Sequence, residues 1–178
     1  PNEDHADVAT LLNNLAVMYR RIGRLIDAEA TARQSLAMAR RLKLPESHLL
    51  PLVVLNGLAS VHKDQGKWAE AEAEYKEALK LCKAVPAQRV VPYAATITCN
   101  LGELYQMQGK LAEAEPLLRD ALEVRQRLYP AGHHEVIQSL VQSAFLKQGQ
   151  EKWAAAEDLY QQALDMARRL IKSDHRDK

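Results

Sequence analysis

Four phrases in this chain are copies of one another. LIDAEATARQSL (25–36), WAEAEAEYKEAL (68–79), LAEAEPLLRDAL (111–122) and WAAAEDLYQQAL (153–164) align without a gap. Their shared alanines, Ala28, Ala71, Ala114 and Ala156, fall 43, 43 and 42 residues apart. Self-similarity at a fixed period confines a chain to stacked-repeat architectures, because one unit cannot bury its apolar face alone.

Each phrase has a partner just before it: NLAVMYRRIG (14–23), GLASVHKDQG (57–66), NLGELYQMQG (100–109) and QSAFLKQGQE (142–151). Within these, Leu15-Ala16, Leu58-Ala59 and Leu101-Gly102 sit one turn before Tyr19, His62 and Tyr105, on one helical face. Gly23, Gly66 and Gly109 follow where a left-handed cap ends a helix. In the second phrases, small alanines such as Ala71 and Ala78 let backbones approach, with Trp68, Tyr75 and Leu79 predicted to fill the gaps. The sequence therefore predicts four pairs of antiparallel helices.

Prolines punctuate them. Pro45 and Pro130 fall in links between units. Pro92 is expected at the start of the third first-helix, where its missing N–H is harmless, and Pro51 in a first turn. His5-Ala6-Asp7-Val8 lines up with His133-His134-Glu135-Val136, and His48 shares that phase, so capping and local packing account for these histidines. The expected fold class is all-α: a right-handed superhelical α-solenoid of four helix-turn-helix repeats, with first helices lining a concave groove. The repeats span about 5–44, 45–87, 88–130 and 131–172 of a single array over residues 1–178, followed by a polar tail, 173–178. The fourth is atypical, with Ser143 for leucine, Lys147 for tyrosine, Gly149 two residues early and Glu151 in the glycine place. Its exposed end face is suited to end-to-end pairing.

Composition narrows the function. With 24 basic and 23 acidic residues the net charge is +1, which leaves no electrostatic footprint for nucleic acid. No apolar run is long enough to span a membrane. The chain opens on Pro1, as a processed or excised piece would. Cys82 and Cys99 form no C-x-x-C pair and fit a reducing, cytoplasmic compartment. His133-His134 lacks a ligand partner at metal spacing, and His175 falls in the tail. No phosphate-binding loop, nucleophile elbow or H-E-x-x-H motif occurs, so neither a cofactor nor an enzymatic site is expected.

N-L-A-x-x-Y-x-x-x-G followed by A-E-A-E-x-x-Y-x-x-A-L resembles the tetratricopeptide repeat (TPR). The long period, with HADVATLLNNLAVMYRRIG at its start, is similar to the 42-residue repeats of kinesin light chains and their relatives. The resemblance covers about residues 5–171 and implies a groove that holds a partner peptide. Asn13 and Asn56 match the asparagine that bonds a ligand backbone in such grooves, whereas Cys99 and Val141 replace it in the later repeats. Asn13, Asn56, Arg20, Lys63 and Asn100 would be polar contacts, with Val17, Met107 and Phe145 as apolar lining. Asn14, Arg21, Ser60, Glu103, Gln106 and Gln142 would share the face. Arg20 matches an arginine of kinesin light chains, whose grooves favour acidic peptides with a tryptophan anchor. Lys63 keeps that positive character, and Gln106 and Gln148 lose it. The chaperone-tail carboxylate clamp needs lysine at position 13 and asparagine at 17, so that reading is excluded.

The function expected from this resemblance is a non-enzymatic protein–protein interaction module, an adaptor or scaffold, with a protein or peptide as partner. The alternative is a structural or self-associating spacer, or a regulatory segment of a larger protein. The chain itself is expected to be a monomer or a weak end-to-end homodimer.

Overall fold

The computed structural model describes residues 5–174, with backbone alone at 173 and 174; His175 and the end of the predicted tail lie outside them. Among the described residues there are eight helices and no strand. In chain order they are α1 (Ala6–Arg21), α2 (Leu25–Arg41), α3 (Leu50–Asp64), α4 (Trp68–Cys82), α5 (Ala87–Met107), α6 (Leu111–Leu128), α7 (His134–Gly149) and α8 (Trp153–Asp174). The chain divides into two compact units, residues 1–97 and 98–178, with the break inside α5.

The histidines at repeat phase all do one job. Nδ1 of His5 accepts the N–H of Asp7 at 3.2 Å, Nδ1 of His48 that of Leu50 at 3.1 Å, and Nδ1 of His133 that of Glu135 at 3.3 Å. Each satisfies a donor that the helix start leaves without an internal partner. Asp7 and Glu135 add a negative charge to the first turns of α1 and α7, where the helix dipole favours it. Pro51 takes a first-turn position in α3, as predicted.

Pro92 departs from prediction. It lies inside α5, because that helix begins at Ala87, directly after Pro86, whose carbonyl accepts from Arg89 and Val90. At the sixth helical position the missing N–H is no longer free: one carbonyl loses its partner and the ring crowds the preceding turn. Pro116 occupies the sixth position of α6 in the same way.

The turn inside each hairpin is one motif used four times. Gly23 N–H bonds Arg20 O and Arg24 N–H bonds Tyr19 O, and the same pair of bonds recurs at Gly66, Gly109 and Glu151. This is the Schellman closure, which needs a left-handed residue. The glycines adopt φ of 78°, 75° and 75°, and Glu151 is forced to 59°. A side chain at this turn position meets nothing at the three glycines, so the penalty on Glu151 is conformational, not steric. Glu151→Gly is therefore expected to stabilise the protein by about 1 kcal/mol, read as a rise in thermal midpoint of a few degrees.

In unit 1, α1 packs on α2, α2 on α3 and α3 on α4, and α1 also touches α3. The seams are small residues: Ala9, Ala16, Ala28, Ala32 and Ala39 are buried, and Ser35 Oγ donates to the carbonyl of Ala9 at 2.6 Å. Ten of the fifteen residues of α3 are buried, because α3 packs against helices on both sides. Ala71, Tyr75 and Ala78 of α4 are closed off as predicted. Trp68 is not; it is 40% exposed. As the first residue of α4 its side chain leans toward the helix start, away from the body of the hairpin.

In unit 2, α6 packs on α7 and α7 on α8. One cluster joins Cys99, Ala114, Leu118, Ala121 and Leu146. A second joins Val136, Leu140 and Ala163, with Tyr129 and Met166 against them. Both cysteines are buried free thiols.

Candidate partner-binding faces

On the first-helix face of unit 1, Asn13 is 6% exposed. Its Oδ1 is buried and has no hydrogen-bond partner. It presses on α3 where residue 57 is glycine: a Cβ there would stand 2.7 Å from Oδ1. Gly57 thus permits the close approach of α1 and α3. Arg20 Nη1 donates to Asp64 Oδ2 at 3.0 Å, so the predicted positive charge at that position is countered across the same pair of helices. Ser60 is buried, donating to the carbonyl of Asn56 at 2.8 Å and lying 3.0 Å from the Tyr75 hydroxyl. Lys63 is buried too. Asn56 and Val17 are half-buried, while Asn14 and Arg21 are exposed. Of the unit 1 residues singled out by sequence, Asn14 and Arg21 are therefore exposed, Val17, Arg20 and Asn56 half-buried, and Asn13, Ser60 and Lys63 buried.

In unit 2, Asn100, Glu103, Gln106 and Gln142 are half-buried, and the buried Oε1 of Gln106 has no hydrogen-bond partner. Met107 is exposed. Phe145 is 48% exposed although it is the chain's one phenylalanine. Its ring is held edge-on to Tyr160 at 5.9 Å, and the Tyr160 hydroxyl donates to Gln148 Oε1 at 2.9 Å.

A polar joint missed by the sequence reading lies between α2, α3 and α4. Glu29 Oε2 accepts from Lys67 Nζ at 2.6 Å, and its Oε1 lies 2.7 Å from Arg33 and 3.4 Å from Nε2 of the buried His62. His62 Nδ1 in turn lies 2.8 Å from Glu74. A related joint occurs in unit 2, where Glu115 takes Gln150 at 2.8 Å and Lys147 at 2.5 Å, a lysine at the phase of His62 and not of Lys67. Both glutamates follow the signature alanine, a regularity visible in the sequence. Their partners come from the next repeat, which spacing alone does not pair.

The Lys67 hydrogen bond, reinforced by Gln65, His62 and Arg33, outweighs burial and lowers Glu29 from 4.5 to about 2. Lys147, then Gln150, lowers Glu115. Burial instead raises Glu74, against the opposing pull of His62 and Arg33. A carboxylate depressed in the folded state stabilises above its unfolded value and loses that contribution as pH falls through its folded one. Stability is thus expected to fall between pH 4.5 and about 2, and Glu29→Gln to remove on the order of 1–2 kcal/mol of that slope in unfolding measured across this range, discounted for solvent at Lys67.

No group of His, Cys, Asp and Glu side chains that could hold a metal ion occurs among the described residues. No helix there is long and apolar enough to cross a membrane.

Helical hairpins in tandem, joined by one turn motif and seamed by small residues, define a helical-repeat scaffold of the solenoid class. Profiles of the tetratricopeptide repeat match residues 8–42, 52–85 and 93–175, and the chain belongs to that family. Among solved structures it is similar to BtubC (BKLC) from P. vanneervenii, with 24% identity, TM-score 0.76, and coverage of 96% of this chain and 67% of that one. It is similar to the apo form of RapI, with 17% identity, TM-score 0.79 and 98% coverage, while spanning 60% of RapI's length. A putative kinesin light chain of Podosopora anserina with nearly identical TPR-like repeats gives 19% identity and TM-score 0.73, over 96% of this chain and 80% of that one. The comparison with curated proteins finds no sequence match. The family is typically a non-catalytic scaffold for protein interaction.

Proposed function

We propose that this chain is an adaptor that holds a peptide segment of a protein partner on its first-helix faces. The observation that carries the reading is Phe145. A large aromatic ring left half exposed, with its neighbour Tyr160 fixed by Gln148, is a pre-organised anchor of the kind that dominates binding energy. Asn100, Gln142 and Met107 supply polar and apolar contacts on the first helices of unit 2, and Asn56 and Asn14 supply polar contacts on those of unit 1. Because Arg20 faces Asp64, the reading does not require an acidic peptide: an apolar side chain flanked by extended backbone fits these residues better. The resemblance to kinesin light chains supports a cargo-type ligand at the level of the fold.

Asn56→Ala combined with Phe145→Ala is expected to weaken capture of the partner at least about tenfold, or about 1.4 kcal/mol. The check is a lysate pull-down read by mass spectrometry, followed by titration of the recovered partner, with helicity confirmed by circular dichroism. Asn13 is left intact because its burial against Gly57 mixes stability into the result. Equal recovery by wild type and variant would assign the partner to another surface and favour a spacer role.

A further inference from the structure

The first helix of unit 1 carries an uncovered apolar stripe. Val8, Leu11, Leu15, Met18 and Ile22 are all exposed, Leu11 by 65%, and their three- and four-residue spacing puts them on one line along α1. One period later, Leu11, Leu15 and Met18 become Val54, Leu58 and Val61, all buried in α3. There α3 packs on α2, and Leu55 and Leu58 line one cavity with Leu36 and Arg33. α1 therefore bears the surface by which a first helix of this protein seats on a preceding second helix.

The complementary surface is on α8. Leu164, the counterpart of the buried Leu36, is 44% exposed. Beside it a cavity of about 300 Å³ is lined by Trp153, Ala156, Tyr160 and Leu164, with Gln148 and Glu157. The polar half of the joint is present as well. Glu29 meets Lys67 in the α2–α3 joint, whereas Glu115 meets Lys147, a lysine at the phase of His62. Glu157 is the next glutamate in phase and is exposed. The residue in phase with Lys67 is Arg24, exposed before α2, where it bonds Asp27 at 2.7 Å and lies over the Tyr19 ring.

We propose that α1 of one copy docks on the outer face of α8 of a second copy, head to tail, reproducing the α2–α3 joint between molecules. Leu15 seats on Leu164, Arg24 reaches Glu157, and Ile22 covers Trp153. A second copy is the occupant because this chain carries both halves of the joint in matching register, with opposite charges at the position where the Glu29–Lys67 joint places them. The contact is heterologous: each copy offers a different face and keeps one of each free. It does not rest on the peptide reading, although its cavity shares Tyr160 and Gln148 with the surroundings of Phe145.

The test is the mass of the whole chain in solution, by sedimentation or light scattering, from micromolar to millimolar concentration. Wild type is expected to gain mass with concentration. Leu15→Glu and Leu164→Glu should each remain monomeric while keeping their helicity, because both sites are already solvent-facing. Leu11→Glu stands in for Leu15→Glu if the latter unfolds. Mixing Leu15→Glu with Leu164→Glu should restore a one-to-one dimer and nothing larger, since each supplies the face the other lacks. A wild type that stays monomeric throughout overturns the proposal and leaves α1 to a helix from another source. Association unchanged by both variants, or no dimer on mixing, overturns it equally.

Discussion

Tyr75→Ala is expected to lower stability by about 3–5 kcal/mol, seen as a fall in the urea midpoint of unfolding with little change in slope. Tyr75 is wholly buried in α4, and its hydroxyl lies 3.0 Å from Ser60 Oγ on α3. Truncation loses the ring's burial and leaves a cavity beside the small Ala71 and Ala78 of the same helix. Tyr75→Phe separates the contributions. It keeps the ring and removes the hydroxyl's contact with Ser60, while Ser60 retains the carbonyl of Asn56, so the expected cost is about 1 kcal/mol. Similar costs for the two variants would move the effect from packing to the hydroxyl pair. The same position holds Ala32 in the first repeat and Leu118 in the third, so the repeats set their volume locally.

Arg125 gives the second large effect. Its side chain is 2% exposed in α6, with Nη1 donating to Ser139 Oγ at 2.7 Å and to the carbonyl of Glu135 at 3.2 Å on α7. The Glu135 carboxylate lies 4.0 Å away. Burial raises the neighbouring Cys99 thiol, with Arg125 acting in the opposite direction. Arg125→Ala is expected to cost about 3 kcal/mol, because it removes buried volume and leaves α7 groups without their donor. Arg125→Met keeps most of the volume and removes a charge that is expensive to bury, so it should fall within about 1 kcal/mol of wild type. Chemical denaturation of the three proteins checks this. A methionine variant as unstable as the alanine one would assign the contribution to the guanidinium's hydrogen bonds.

The repeat made the helix pairs, the turn glycines and the role of the phase histidines legible, because each depends on residues within one turn of each other. Glu151 could be seen to occupy the glycine place, and the structure adds that it adopts the glycine conformation. Pro92 was misplaced because the start of α5 is set by Pro86, outside the repeated phrase. Trp68 was read as filler from its neighbours in sequence, but a helix's first residue points past its own hairpin. The candidate site was less legible. Asn13, Ser60 and Lys63 lie on the predicted helices, yet whether they face solvent depends on how closely α1, α3 and α4 approach, which Gly57 and Tyr75 control. The partnership of Glu29 with Lys67 joins residues 38 apart and exists only once two hairpins stack. Arg125 was visible as a departure from Ala39 and Cys82 at the same phase, a signal that position alone does not interpret.

The sandwiching of α3 makes unit 1 mechanically uneven. α1 is held through Ala9, Asn13 and Ala16 on one side, so it can peel away while leaving the α3–α4 hairpin intact. α3 has no such route, since freeing it exposes its surfaces toward both α2 and α4 at once. α1 can therefore loosen without uncovering both faces of α3, and whatever covers α1 also sets how readily it does so.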